Sequence, residues 1–165
     1  MHIIPEISIT LYGGWMLVLI YFVIDISLLL MMPKYNLARF VKVPKIKYVT
    51  PLNRILYYLQ LILLLILPLK TGTTIFYIGI ILFTFGVLMF SVAMLFFAIS
   101  EVQYKVTKGI YAIIKHPVYV SFFILMIGAS LSVNSALLLI LSILHFMIVI
   151  LLIKAENKEC ENLYS

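Results

Sequence analysis

The stretch Val118–Ile153, VYVSFFILMIGASLSVNSALLLILSILHFMIVILLI, runs 36 residues without a formal charge. As one helix rising 1.5 Å per residue it would reach about 54 Å, well beyond a hydrocarbon core of about 30 Å. It must therefore fold back on itself. The small and polar cluster Ser130-Leu131-Ser132-Val133-Asn134-Ser135 supplies the turn. That predicts two short helices, over 118–131 and 136–153, packed as a helical hairpin.

Three further apolar stretches precede this block. One runs from Leu11 to Met32 and is broken only by Asp25, a second covers Ile55 to Leu69, and a third occupies 73–98 within the uncharged segment Thr71–Ser100. Each suits one membrane helix. The expected fold is an all-α polytopic membrane bundle of five transmembrane helices, forming one domain over residues 1–165. Composition agrees: 65% of the 165 residues are hydrophobic, 11% are charged and the mean hydropathy is +1.21. A soluble domain carries roughly 45–50% apolar residues. A water-soluble fold is excluded, because so short a chain would leave much of its apolar surface in water.

Twelve Lys and Arg stand against six Asp and Glu, giving a net charge of +6. Lys34, Arg39, Lys42, Lys45, Lys47 and Arg54 lie between the first two spans, Lys105, Lys108 and Lys115 between the third and fourth, and Lys154 and Lys158 in the tail. Five spans put those segments on one face, and only Lys70 opposes them. The positive-inside bias then predicts an outside N-terminus and a cytoplasmic C-terminus. Topology accounts for the basic charge, so no nucleic-acid partner is expected. The first loop, with Pro33, Pro44, Pro51 and two tyrosines, is expected along anionic headgroups. A cleaved signal peptide is not expected, since no basic segment precedes the long first apolar run. Cys160 is the only cysteine, and His2, His116 and His145 lack metal-ligand spacing, so neither a disulfide nor a metal site is expected.

Polar groups concentrate where the last three spans meet the basic side. The segment Lys105-Val106-Thr107-Lys108-Gly109-Ile110-Tyr111-Ala112-Ile113-Ile114-Lys115-His116-Pro117-Val118-Tyr119 offers a glycine for a turn and a proline for a helix start. A helix N-terminus beside Lys and His attracts a carboxylate or phosphate, and Tyr111 and Tyr119 offer flat faces for an adenine or a sulfonium. The same residues also suit a membrane-surface anchor of Lys and Tyr.

The run Gly109-x-Tyr111-x-x-x-Lys115-His116-Pro117-x-Tyr119, followed by Gly128, Leu131 and a second short helix ending at Glu156, resembles the isoprenylcysteine carboxyl methyltransferase and phospholipid methyltransferase group. The resemblance covers about residues 103–165. It implies an integral membrane enzyme that uses S-adenosylmethionine on a lipophilic or prenylated acceptor, an isoprenylcysteine carboxylate first and a phospholipid or small thiol second. It also implies that Tyr111, His116, Pro117 and Tyr119 line the cofactor pocket and that Glu156 binds the cofactor. Lys105, Gly109, Lys115 and Asn157 complete the expected cofactor site, with His116 and Glu156 as the catalytic pair. The chain departs from the family pattern at Lys115, where Arg is usual, at Asn157, where a second acid is usual, and after Tyr164, where the family continues with Gly and further Tyr. Lys115 replaces a bidentate fork by a point charge.

Methyl transfer from a sulfonium is an in-line displacement that asks the protein to align two reactants and exclude water. A carboxylate acceptor needs no general base, whereas an amine must lose a proton, for which His116 or Glu156 is placed. Asp25 is expected either as a hydrogen-bonded or neutral packing group or as a contact for substrate or an ion. His145 is expected to make an interhelical hydrogen bond, and Gly79, Gly86 and Ala93, spaced by seven, to form a packing stripe. Two rival readings are an NADPH-dependent sterol-type membrane reductase, which shares a similar His-Pro-x-Tyr element, and a non-enzymatic membrane scaffold.

Overall fold

A computed structural model describes residues 12–41, 46–100, 106 and 108–164, without the side chains of Arg39, Val41 and residues 159–164. The expectations resting on His2, Lys42, Pro44, Lys45 and Lys105, and on the side chains of Arg39, Cys160 and Tyr164, lie outside the described residues. The described chain is all-helical: α1 (Trp15–Met31), α2 (Lys34–Val41), α3 (Val49–Ile66), α4 (Thr74–Ala98), a 3-10 turn (Gly109–Ala112), α5 (Pro117–Ser132) and α6 (Ala136–Tyr164). Five of these helices lie where five apolar spans were expected. Among the described residues, only α3, α4 and α6 (through Lys158) are long and apolar enough to cross a membrane by themselves. α1 has 17 residues and α5 has 16, or about 24–26 Å at 1.5 Å per residue.

Local chemistry sets the helix ends and corrects several expected boundaries. α3 begins at Val49 instead of 55 because Pro51 falls in its first turn, where a missing N–H removes no helical hydrogen bond. It stops at Ile66 because Pro68 forces Leu67 into extended backbone, φ −91° and ψ 134°. Thr73 caps α4, its Oγ1 accepting from the Phe76 N–H at 3.1 Å. α6 was expected to end at 153 but continues to Tyr164, so its last turns carry Lys154, Glu156 and Lys158 on the same helix that crosses the core. α2 was read as loop. Its Asn36, fully buried, donates from Nδ2 to the carbonyls of Ala98 at 2.8 Å and Ser100 at 3.1 Å, satisfying groups at the end of α4.

The helices alternate in direction. At one end the Gly14 N–H donates to Leu67 O at 2.7 Å, Leu69 N–H to Tyr12 O at 3.0 Å, and Lys70 N–H to Ser132 O at 3.0 Å. The starts of α1 and α4 thus meet the ends of α3 and α5. The opposite end holds α2, the end of α4 and the start of α5, together with Lys34, Lys47, Arg54, Lys108 and Lys115.

α4 and α5 form the most extensive helix pair. A Cβ on Gly79 would lie 2.6 Å from the Ser132 N, and one on Gly86 would lie 2.6 Å from the Leu125 N. From α5, a Cβ on Gly128 would meet the Gly79 carbonyl at 2.7 Å. The seven-residue stripe is therefore a packing seam, with Ala93 also fully buried. The turn between α5 and α6 forms at the expected cluster: Asn134 takes a left-handed φ of 53°, and the Ser135 N–H returns to Ser130 O at 3.0 Å. α5 nevertheless leans on α4 more than on its hairpin partner.

A buried polar network joins α3 to α6. The Gln60 amide nitrogen contacts His145 Nδ1 at 2.7 Å, His145 Nε2 contacts Asn53 Oδ1 at 3.0 Å, and the Ser142 hydroxyl donates to Gln60 Oε1 at 3.1 Å. Gln60 donating and Asn53 accepting fix a neutral imidazole protonated at Nε2. This is the interhelical role expected for His145. Replacing His145 with Ala strands Gln60 and Asn53 and should cost about 1–2 kcal/mol, read as a lower Tm in detergent. Gly86→Val should lower the Tm by more, since overpacking costs about 1–3 kcal/mol and the obstacle here is backbone. Phe85→Ala, on the exposed side of the same helix, should leave it nearly unchanged.

Candidate functional site

The site begins with the turn that follows α4. Gly109 sits at φ 62°, a left-handed conformation, and a Cβ there would collide with the Phe96 ring. That close approach starts the 3-10 turn carrying Tyr111 and leads the chain to His116, the residue capping α5. Pro117 is buried at the first helical position, where its fixed φ starts the helix and no N–H is wasted. The first turn of α5 then presents N–H groups without intrahelical acceptors.

The His116 imidazole reaches across to α6. Its Nε2 lies 3.1 Å from Asn157 Oδ1, and its Nδ1 lies 3.7 Å from Glu156 Oε2, within ion-pair range but beyond a hydrogen bond. Tyr119 lies one turn further along, its ring centroid 6.1 Å from that of His116. Its hydroxyl lies near Glu156 and Tyr111. His116, Asn157, Glu156, Tyr119 and Tyr111 therefore form one cluster at the junction of α5, α6 and the 3-10 turn. Lys108 and Lys115 stand at the exposed surface beside it. Lys105 belongs to the segment outside the described residues.

Glu156 Oε2 is buried and has no hydrogen-bond partner among the described residues. A buried acceptor left unpaired costs about 1–3 kcal/mol, which a ligand donor would recover. S-adenosylmethionine fits that need. Its ribose hydroxyls and amino group are donors, its carboxylate suits the α5 N-terminus and the two lysines, and its sulfonium and adenine suit the faces of Tyr111 and Tyr119.

A small crevice, with room for about one water, adjoins the cluster between α3, α5 and α6. Tyr119, Phe122, Phe123 and Phe146 supply aromatic walls, with Phe123 and Phe146 stacked at 4.1 Å. Gln60, Ser142 and His145 supply the polar lining. The sequence reading missed Gln60, Asn53 and Ser142. Their signal was available, since Gln60 and Ser142 are polar residues inside otherwise apolar runs.

The model of the phospholipid methyltransferase family matches residues 94–165. No curated protein and no solved structure matches the chain. The matched segment contains the end of α4, the Gly109 turn, α5 and α6, and thus every member of the cluster around His116. Enzymes of that family use S-adenosylmethionine as methyl donor. Residues 94–165, the segment that holds the cluster around His116, are thus similar to the phospholipid methyltransferases, a family of S-adenosylmethionine-dependent membrane enzymes.

Proposed function

We propose that the chain methylates a lipid-borne acceptor at the junction of α5 and α6, with the donor reaching the site from the basic face and the acceptor from the bilayer. The observation that carries this reading is the contact of His116 with Asn157 at 3.1 Å, which joins residues 41 apart around a buried, unsatisfied Glu156 oxygen. The twelve basic residues, eleven of them on one face, support a cytoplasmic basic face and an outside N-terminus. S-adenosylmethionine supplies an electrophilic methyl group on a sulfonium. Glu156 accepts hydrogen bonds from the donor, His116 and Asn157 hold that carboxylate's surroundings in place, and Tyr111 and Tyr119 orient the cationic end. Closing apolar walls around the crevice keeps water from the reacting atoms.

The crevice chemistry supports an amine-headed phospholipid as acceptor. Its lining includes hydrogen-bonding groups and four aromatic rings but no Lys or Arg. A carboxylate there would be a buried ion without a counter-charge. An amine is neutral when it attacks, and its methylated cation is held by aromatic faces. A proton must leave the nitrogen, and the His116–Glu156 pair stands where it can receive it. The isoprenylcysteine carboxylate is the second reading, favoured by exposed Lys108 and Lys115, which offer it a counter-charge outside the crevice.

Purified protein incubated with methyl-labelled S-adenosylmethionine should transfer label to phosphatidylethanolamine in preference to a prenylcysteine analogue or a small thiol. Transfer to prenylcysteine alone would select the carboxylate reading, and binding of NADPH without S-adenosylmethionine would replace both with a reductase. His116→Ala and Glu156→Ala should each weaken S-adenosylmethionine binding by at least about tenfold, roughly 1.4 kcal/mol, with helical content unchanged. Unaltered affinity in both variants would count decisively against this site. Asn157→Asp, which restores the acid usual in the family, should retain binding.

A further inference from the structure

Asp25 is the only acidic residue inside the apolar stretch of α1, half-buried, with no hydrogen bond or ion pair among the described residues. An acid at membrane depth without a cation is a costly feature that calls for a partner. Tyr21 lies one helical turn before Asp25 on α1, on the same helix face, and Tyr57 of α3 lies near it; both carry uncharged phenols. Neither supplies the missing positive charge.

The surroundings of Asp25 lead directly to the crevice. The Tyr57 ring packs on Phe122 at 5.3 Å, and Tyr21 meets Phe122 at 5.9 Å. Phe122 lines the crevice and packs against His145 at 5.8 Å, and the crevice reaches Tyr119 beside Glu156. A continuous run of aromatic faces therefore links the unpaired carboxylate on α1 to the cluster around His116. The depths also agree. Asp25 lies six residues before the end of α1, about 9 Å by helical rise, and Phe122 lies five residues after the start of α5, about 8 Å, both counted from the basic end.

We infer that Asp25 is the residue that receives the cationic headgroup of the lipid acceptor, pairing with its ammonium where α1, α3 and α5 meet and directing it along Tyr57 and Phe122 to the transfer site. The inference rests on the amine reading of the acceptor given above. Asp25 acts as a specificity-determining residue: the unreacted headgroup carries an ammonium in search of an anion, and among the described residues the α1 carboxylate is the one not already engaged with His116. The aromatic faces between the two sites hold the charge in transit, as cation–π partners do for ammonium groups.

The test compares wild type, Asp25→Asn and Asp25→Glu in lipid nanodiscs, with phosphatidylethanolamine and its N-acetylated derivative as probes. Binding is read by thermal shift and methylation by transfer of label. Asp25→Asn should raise the KM for phosphatidylethanolamine by about tenfold or more while the affinity for S-adenosylmethionine and kcat change little. The N-acetyl lipid, whose amide nitrogen carries no positive charge, should bind both proteins alike, and Asp25→Glu should keep most of the wild-type preference. Equal phosphatidylethanolamine affinity in wild type and Asp25→Asn would overturn the inference, as would an equal loss for the N-acetyl lipid, which marks a packing role. Wild-type protein that binds the amine lipid through Asp25 without methylating it would sustain the charge pairing and refute the reaction assigned above. Undiminished methylation by Asp25→Asn would do the reverse.

Discussion

Backbone-to-backbone contact between α4 and α5 is the constraint on which the rest depends. In a bilayer no hydrophobic force draws one helix to another, since lipid tails are as apolar as leucine, so association relies on close packing and shared hydrogen bonds. Gly79, Gly86 and Gly128 remove the side chains that would hold these helices apart. With α5 fixed against α4, the short connection between them has to turn sharply, and Gly109 makes that turn against Phe96 of α4. The position of His116 follows from these contacts. It caps a helix whose axis is set by a glycine seam and whose approach is set by a left-handed glycine.

The second half of the site is positioned by polar groups. α6 makes less contact with α5 than α4 does, and its register is fixed by Ser142 and His145 bonding to Gln60 and Asn53 on α3. Each such bond in a membrane contributes modestly, about 0.6 kcal/mol on average. Their value lies in geometry, because slipping α6 by one residue would break all of them together. Glu156 and Asn157 stand about three helical turns beyond His145 on the same rigid helix. A network deep in the hydrocarbon thus determines what meets His116 at the surface.

Much of this was legible in the sequence because the bilayer imposes one rule, satisfaction of every backbone group within the helix, which makes apolar run length a direct report of architecture. The five apolar helices, the hairpin turn at Ser130–Ser135 and the role of His145 follow from that rule. α2 escaped it because an eight-residue helix lies outside the core, where run length carries no information, and because its anchor is tertiary: Asn36 binds carbonyls 62 and 64 residues away. The end of α6 escaped it for a related reason. Charge at Lys154 marks where the hydrocarbon stops, and a helix has no need to stop there. The family resemblance singled out His116 in the Gly109–Tyr119 run and Glu156 at the end of the last helix, while their distance and the orphaned carboxylate oxygen required the fold.

The cluster around His116 and the crevice beside it also span two environments. The cluster around His116 lies at a helix N-terminus flanked by exposed lysines, an environment for a polar and partly anionic ligand. One helical turn deeper the lining changes to aromatic rings and neutral hydrogen-bonding groups. The boundary between these environments is Tyr119, amphipathic and half-buried, whose ring belongs to the crevice and whose hydroxyl faces Glu156. Polarity therefore changes along the first turns of α5 within the length of a single side chain. In the function proposed above, a methyl group on a sulfonium at the wet side and a nucleophile at the dry side would meet across that boundary with little distance to travel. Such a step favours reactions in which charge moves from donor to acceptor, because the cation formed on the acceptor arises beside aromatic faces while the donor becomes neutral.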